Sequence, residues 1–288
     1  MKILITGISG FIGRYVGEYL VGHGHSVYGT SRRPEDEKIR SWWVKDVYLF
    51  RLGEPFDQGM LAGKDAVIHL AHDFRAGRRE ENVAGTLSIA RAAEACGIKQ
   101  QVFVSSYSAR SDAVSEYGQT KFAIEMAIRE VNGIVVRPGL VIGPGGIFGR
   151  IVDLVRSMPI LPLIGGGRGE VPVIGIQDLA RAMSAIIGSR DRKKEEFNLF
   201  YREMVSLKDL LEKVKCATSR RTIMLPVPAT LVMLILYAAK KMMLQLPVSE
   251  DNVKGFMINQ KRVYDSNLDE LLSDVTGIDR ALEMMVNA

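Results

Sequence analysis

Apolar residues open the chain as a short block, Ile3-Leu4-Ile5, set between Lys2 and Thr6. A run this short, ended by glycine, predicts a strand over 2–6. The next stretch, from Phe11 to Gly22, mixes apolar and polar positions at helical spacing and predicts a helix. The alternation then repeats. Strands are predicted over 26–30, 47–52, 66–71, 101–105 and 133–137. Helices are predicted over 82–96, closed by Gly97, and over 117–131. Strands rich in Val, Ile and Leu and separated by helices imply parallel pairing with both faces covered. Right-handed crossovers make this an α/β, doubly wound (Rossmann) parallel sheet.

After Arg137 the pattern breaks. Pro138, Pro144, Pro159, Pro162 and Pro172 interrupt it, with glycines clustered at 143–146 and 165–169. Short elements are expected there, with helices near 148–156, 178–187 and 206–216. The division is a sheet domain over 1–140 and a mainly substrate-facing, smaller C-terminal lobe over 141–288, some of whose segments return to the sheet. Residues 229–246 are the most apolar stretch. The uninterrupted run from Ala229 to Ala239 is shorter than the ~20 residues a spanning helix needs. It is read as a helix covering the protein's own core, or as a peripheral membrane contact with Lys240 and Lys241 near lipid headgroups.

Composition narrows the classes. The 288 residues are 47% apolar and 25% charged, which suits a globular chain and not a disordered one. The net charge of +5 is spread over short runs such as Arg78-Arg79 and Arg220-Arg221, so nucleic acid is not the expected partner. Cys96 and Cys216 are far apart and outside any CxxC pair, so neither a disulfide framework nor a zinc site is expected. His23, His25, His69 and His72 have no ligand spacing, and no metal is expected. The first strand starts at residue 2 with no leader-like segment before it, which suggests a cytoplasmic protein.

Thr6-Gly7-Ile8-Ser9-Gly10-Phe11-Ile12-Gly13 lies between the first strand and the first helix. A dinucleotide's phosphates need that placement. Gly7 takes the tight turn, Gly10 lets the backbone approach the pyrophosphate, and Gly13 lets the helix lie close to the sheet. The helix N-terminus offers free N–H groups to anions. The second strand runs into Ser31-Arg32-Arg33, where an NAD-selective site usually has an acid. Two guanidinium groups there suit a 2′-phosphate, so NADP is the expected cofactor, with NAD as the alternative.

Tyr117 and Lys121 stand four apart at the start of a predicted helix and so share a face. A phenol with an ordinary pKa near 10 is a poor acid-base at neutral pH. A neighbouring ammonium and a positive nicotinamide are expected to lower it. Lys121 can also hold the nicotinamide ribose. Ser105 and Ser106 close the preceding strand, and Ser106 is the candidate to orient a carbonyl or hydroxyl oxygen.

These residues together resemble the extended or atypical short-chain dehydrogenase/reductases, the NAD-dependent epimerase/dehydratase family. Thr6 to Gly13, with Phe11 and Ile12 in it, resembles that family's TGxxGxxG turn. Ile68-His69-Leu70-Ala71 resembles the strand lining the adenosine and ribose. Asn82 to Thr86 resembles the helix bearing a structural Asn. Arg137-Pro138-Gly139 and Val141 to Gly145 resemble the loop beside the nicotinamide, and Ile176 to Ala180 the opening of a lobe helix. The resemblance implies that Gly7, Gly10, Phe11, Ile12, Gly13, Ser31, Arg32, Arg33, Leu70, Ala71 and Pro138 bind cofactor with Tyr117 and Lys121. It also implies catalysis by Ser106, Tyr117 and Lys121, and a homodimer. Only ten residues separate Ser106 from Tyr117, and Tyr107-Ser108-Ala109-Arg110 replaces a VYG-like signature. The acid pair of a sugar dehydratase is absent beside Ser106. The expected activity is hydride transfer at a carbonyl or carbinol carbon of a nucleotide sugar, as a 4-reductase or 4-epimerase. The alternatives are a reductase of a lipid-linked or hydrophobic ketone, and a non-catalytic NADP-binding sensor or assembly factor.

Overall fold

The computed structural model describes residues 1–35, 43–189, 194–228, 230–232 and 264–286. The apolar segment read over 229–246 lies outside the described residues apart from 230–232. Among the described residues no helix is long and apolar enough to cross a membrane.

Seven strands form one parallel sheet. They are β1 (Lys2–Thr6), β2 (Ser26–Ser31), β3 (Asp46–Leu49), β4 (Ala66–His69), β5 (Gln100–Val104), β6 (Ile134–Pro138) and, from the second half of the chain, β11 (Glu196–Leu199). Their order is β11-β6-β5-β4-β1-β2-β3. Both faces are apolar, as parallel strands require. Ile3 and Ile5 enter a core on one side, and Leu4 enters a separate core on the other. Helix α1 (Phe11–Gly22) and α5 (Ile176–Gly188) cover the first side, and α2 (Arg79–Ala95) and α3 (Glu116–Glu130) the second.

Four of the six predicted strands end within one residue of expectation; β3 ends at Leu49 and β4 at His69, three and two residues short of the predicted 52 and 71. β4 stops at His69 because the Leu70 and Ala71 amides turn away to the Thr6 hydroxyl, at 3.0 and 3.1 Å. Helix α2 starts three residues before the predicted Asn82. Glu80 and Glu81 sit in its first turn, where acidic side chains meet the positive helix end.

The rest of the chain folds into short pieces: β7 (Leu140–Ile142), α4 (Gly146–Ser157), β8 (Ile160–Ile164), β9 (Glu170–Val171), β10 (Val173–Gly175), β12 (Val205–Ser206), α6 (Leu207–Ala217), β13 (Ile223–Val227), α7 (Leu268–Leu271) and α8 (Ile278–Val286). Three two-stranded pairs result, β7 with β10, β9 with β12 and β8 with β13. Sequence periodicity missed these strands because two to five residues carry too little pattern. Phe148, Val152, Leu210 and Leu282 of this half join the core that lies under the sheet.

Candidate active site

The Gly-rich turn follows β1. Gly7 has φ +70°, and a Cβ there would lie 2.9 Å from Ala71 Cα. A Cβ at Gly13 would lie 2.6 Å from the Gly7 carbonyl oxygen. Only glycine fits either position, and the helix is thereby drawn tight against the turn. Gly10 is the N-cap of α1 and offers no side chain to the first-turn amides. Those amides, at Phe11, Ile12 and Gly13, are the groups a helix start presents to an anion. Ser31, buried at the end of β2, donates to Ser9 in the turn at 3.3 Å, and the Arg33 amide donates to Ser31 Oγ at 3.1 Å. Arg32 and Arg33 are exposed beside it. The Phe11 ring packs under the glycines of the 143–146 loop. Pro138 closes β6 and accepts the Tyr107 amide at 3.0 Å. The predicted phosphate-turn residues and the ends of β2 and β4 therefore converge. A turn that excludes Cβ atoms and an uncapped helix start fit the phosphates of a dinucleotide, and two exposed guanidinium groups lie beside that turn.

Beyond β5 the chain leaves the sheet at Ser105 and Ser106. Ser115 caps α3 by accepting the Gly118 amide at 3.1 Å. That cap fixes Tyr117 in the first turn and Lys121 one turn later. The Tyr117 hydroxyl is hydrogen-bonded with Ser106. Lys121 is buried, its Nζ lies 5.9 Å from the Tyr117 ring centroid, and it donates to the Val104 carbonyl at 2.9 Å. Burial pushes the Tyr117 phenol up to about 12, against a smaller lowering by Ser106. Burial pushes Lys121 down to about 7, against the raising effect of Glu125. The phenol expected to be acidified by its lysine is thus less acidic in the protein alone. Removing the phenolate charge from water raises the group by more than the Ser106 hydrogen bond lowers it.

The two serines separate. Ser105 Oγ donates to Glu125 at 2.5 Å, behind the site. Glu125 is fully buried and receives Arg137 through Nε at 2.8 Å and NH2 at 2.5 Å. Arg137 also reaches Glu196 on β11 at 3.0 Å. Burial alone would lower the Arg137 guanidinium, but the Glu125 carboxylate overrides it and holds it above its ordinary value. Sequence reasoning passed over Glu125, though Tyr117, Lys121 and Glu125 follow one another at intervals of four and so mark one helix face.

Two further residues stand at the site. His72 and Phe74, in the loop after β4, have ring centroids 5.2 and 5.8 Å from that of Tyr117. Burial, then the Lys121 charge, push His72 down to about 3, so the ring is neutral at ordinary pH. The signal for Phe74 was an aromatic residue alone in the polar run Asp73 to Arg79. His69 is buried within β4, bonded to Gln101 at 3.0 Å and pushed down to about 4 by burial, so its ring is neutral at ordinary pH. Arg168 is exposed after the short 3-10 turn Gly165–Gly167 that packs on β8 and β13.

Residues 3–199 match the NAD dependent epimerase/dehydratase family. The chain belongs to that family. A ceramide reductase of Caulobacter vibrioides is 30% identical over 198 residues, which cover 64% of this chain and 60% of that protein. A 2-alkyl-3-oxoalkanoate reductase of Stenotrophomonas maltophilia is 28% identical over 219 residues, covering 63% and 64%. The chain thus spans less than two thirds of these relatives' length. Among solved structures, MoeE5 in complex with UDP-glucuronic acid and NAD superposes over 100% of this chain and 98% of its own, with a TM-score of 0.75 at 19% identity. At that identity the likeness establishes the fold. It agrees with the seven-stranded parallel sheet of this epimerase/dehydratase-family chain.

Proposed function

We propose that the protein is an NADP-dependent oxidoreductase acting at a carbonyl or carbinol carbon, with Ser106, Tyr117 and Lys121 as its catalytic residues. The observation that carries this reading is the hydroxyl pair of Tyr117 and Ser106, with the Lys121 ammonium one helical turn away. Gly7, Gly10, Phe11, Ile12 and Gly13 would hold the pyrophosphate. Ser31, Arg32 and Arg33 would hold the 2′-phosphate, and Leu70, Ala71, Pro138, Tyr117 and Lys121 the nicotinamide nucleoside. When bound, the nicotinamide gives or takes the hydride, and its oxidised ring adds positive charge beside the phenol.

Ser106 orients the substrate oxygen by a hydrogen bond. Tyr117, held well above neutral, enters as an acid and gives its proton to a carbonyl oxygen as the carbon becomes a carbinol. Lys121 steadies the resulting phenolate and bonds the ribose. The direction this favours is reduction, in keeping with Arg32 and Arg33. Residues 141–288 would serve mainly as the substrate-facing lobe. A nucleotide-sugar substrate, for a 4-reductase or 4-epimerase, is supported by the fold neighbour that holds a UDP-sugar. A hydrophobic ketone is supported by the reductases that match in sequence.

The test is NADPH oxidation, followed by absorbance, against nucleotide-linked keto sugars, lipid-linked keto sugars and long-chain ketones. Turnover is expected with one class and is expected to vanish in Tyr117→Phe while NADPH still binds. Undiminished turnover in Tyr117→Phe overturns the assignment.

A further inference from the structure

The loop between β4 and α2 presents an aromatic ring to solvent at the reacting centre. Phe74 is 69% exposed, more than any other large apolar side chain among the described residues. Its ring lies nearly parallel to that of Tyr117, with centroids 5.8 Å apart and planes inclined by 21°. His72 meets both rings edge-on, at 4.8 Å from Phe74 and 5.2 Å from Tyr117. One side of the Phe74 ring is therefore on the candidate proton donor, and the ring still offers most of its surface to water.

The loop is held in place. The Asp73 amide donates to Asn82 Oδ1 at 2.8 Å, and Asn82 Nδ2 donates back to the Asp73 carbonyl at 2.9 Å. Three residues past Phe74, the Gly77 amide donates to Glu116 at 2.9 Å, and Arg79 reaches Gln119 at 3.4 Å. Both partners lie in the first turn of α3, beside Tyr117. The backbone on each side of Phe74 is thus tied to α2 and α3. The charges next to it are spent on each other: Arg75 pairs with Asp73 at 2.6 Å. His72 brings no charge at ordinary pH. Val114, three residues before Tyr117, is 49% exposed and adds a second apolar group on the approach to α3. Single exposed apolar residues are common; what distinguishes Phe74 is its place, ring against ring with Tyr117 and His72.

We propose that Phe74 is a substrate-binding residue that takes the aliphatic chain of a hydrophobic ketone, and so sets the substrate class of this site. The proposal rests on the hydride-transfer reading above. A chain laid on Phe74 would leave water as its carbonyl reached Ser106 and Tyr117, so affinity would grow with chain length. A pyranose can also stack on an aromatic face, but its affinity would not climb with added methylenes.

The test is NADPH-dependent reduction of a homologous series of methyl 3-oxoalkanoates by the whole chain. In the parent protein kcat/KM is expected to rise about fourfold per methylene over the short members, the equivalent of about 0.8 kcal/mol per buried CH2. Phe74→Ser is expected to flatten that rise to under about twofold, while Phe74→Leu keeps most of it. Val275→Ser, an exposed apolar position elsewhere on the surface, is the control and should keep the parent slope. A slope undiminished in Phe74→Ser overturns the proposal. So does a flat slope in the parent protein that reduces a UDP-linked keto sugar, and in that case hydride transfer stands. Absence of NADPH oxidation with every ketone and keto sugar overturns both readings.

Discussion

Ser105 donates its hydroxyl to Glu125 at 2.5 Å, while its neighbour Ser106 bonds the Tyr117 hydroxyl. Adjacent residues leaving a strand point to opposite sides, so one serine belongs to the buried charge network and the other to the open site. Their variants should separate accordingly. Ser106→Ala is expected to lower kcat/KM by roughly 100-fold, the scale for losing one hydrogen bond to a reacting oxygen, with little change in thermal midpoint. Ser105→Ala leaves a buried carboxylate short of one donor and should cost about 1–3 kcal/mol of stability. Urea denaturation beside steady-state kinetics checks both. Equal activity losses without a stability difference would count against this division.

Glu125 and Arg137 form a buried pair, tied bidentately and extended to Glu196. Removing Glu125 takes the bidentate bonds from a buried guanidinium that keeps the partly exposed Glu196, and removing Arg137 leaves the buried carboxylate with Arg129 at 3.6 Å. Glu125→Gln should therefore destabilise the fold by about 3–5 kcal/mol. A double variant, Glu125→Gln with Arg137→Met, should recover part of that loss, because no unpaired charge stays buried. The urea midpoints of the three proteins decide it, and absence of recovery would mean that the pair is not coupled.

Arg32 and Arg33 are exposed at the end of β2, beside Ser31. A charge-assisted bond contributes about 1.5–3 kcal/mol. Arg32→Ser with Arg33→Ser should raise KM for NADPH by roughly 10- to 100-fold and leave KM for NADH nearly unchanged. A parallel rise for both cofactors would remove the 2′-phosphate assignment.

Lys121 carries a signature in stability against pH. Its folded value is about 7, below the unfolded value near 10.5. Between those values the unfolded chain binds more protons, so the cost of burying the ammonium is present below about pH 7 and is relieved as pH rises. Relative to Lys121→Met, the parent protein should gain stability from pH 7 to pH 10. Tyr117, pushed up to about 12, should contribute no phenolate absorbance in the cofactor-free protein over that range. Chemical denaturation across pH and an ultraviolet titration against Tyr117→Phe measure the two effects. A stability difference that is flat across this window would show that Lys121 keeps its proton when folded.

Much of this protein is legible locally. The strand at Lys2–Thr6, the helix at Phe11–Gly22 and the glycine turn between them need only the neighbouring residues, since period, φ and cap chemistry are short-range properties. The four-residue step from Tyr117 to Lys121 likewise fixes a shared helix face before any packing is known. The sequence by itself therefore determined the alternating α/β order, the place of the glycine turn and the pairing of phenol and amine. The tertiary structure decided what depends on burial and on distant partners. It brought β11 to the edge of the sheet, turned Ser105 inward onto Glu125 and Arg137, and set Phe74 against Tyr117. It also closed around the Tyr117 phenol, whose burial raises it in the absence of cofactor. Desolvation is a property of the surroundings that close over a group, and no spacing along the chain reveals how completely they do so.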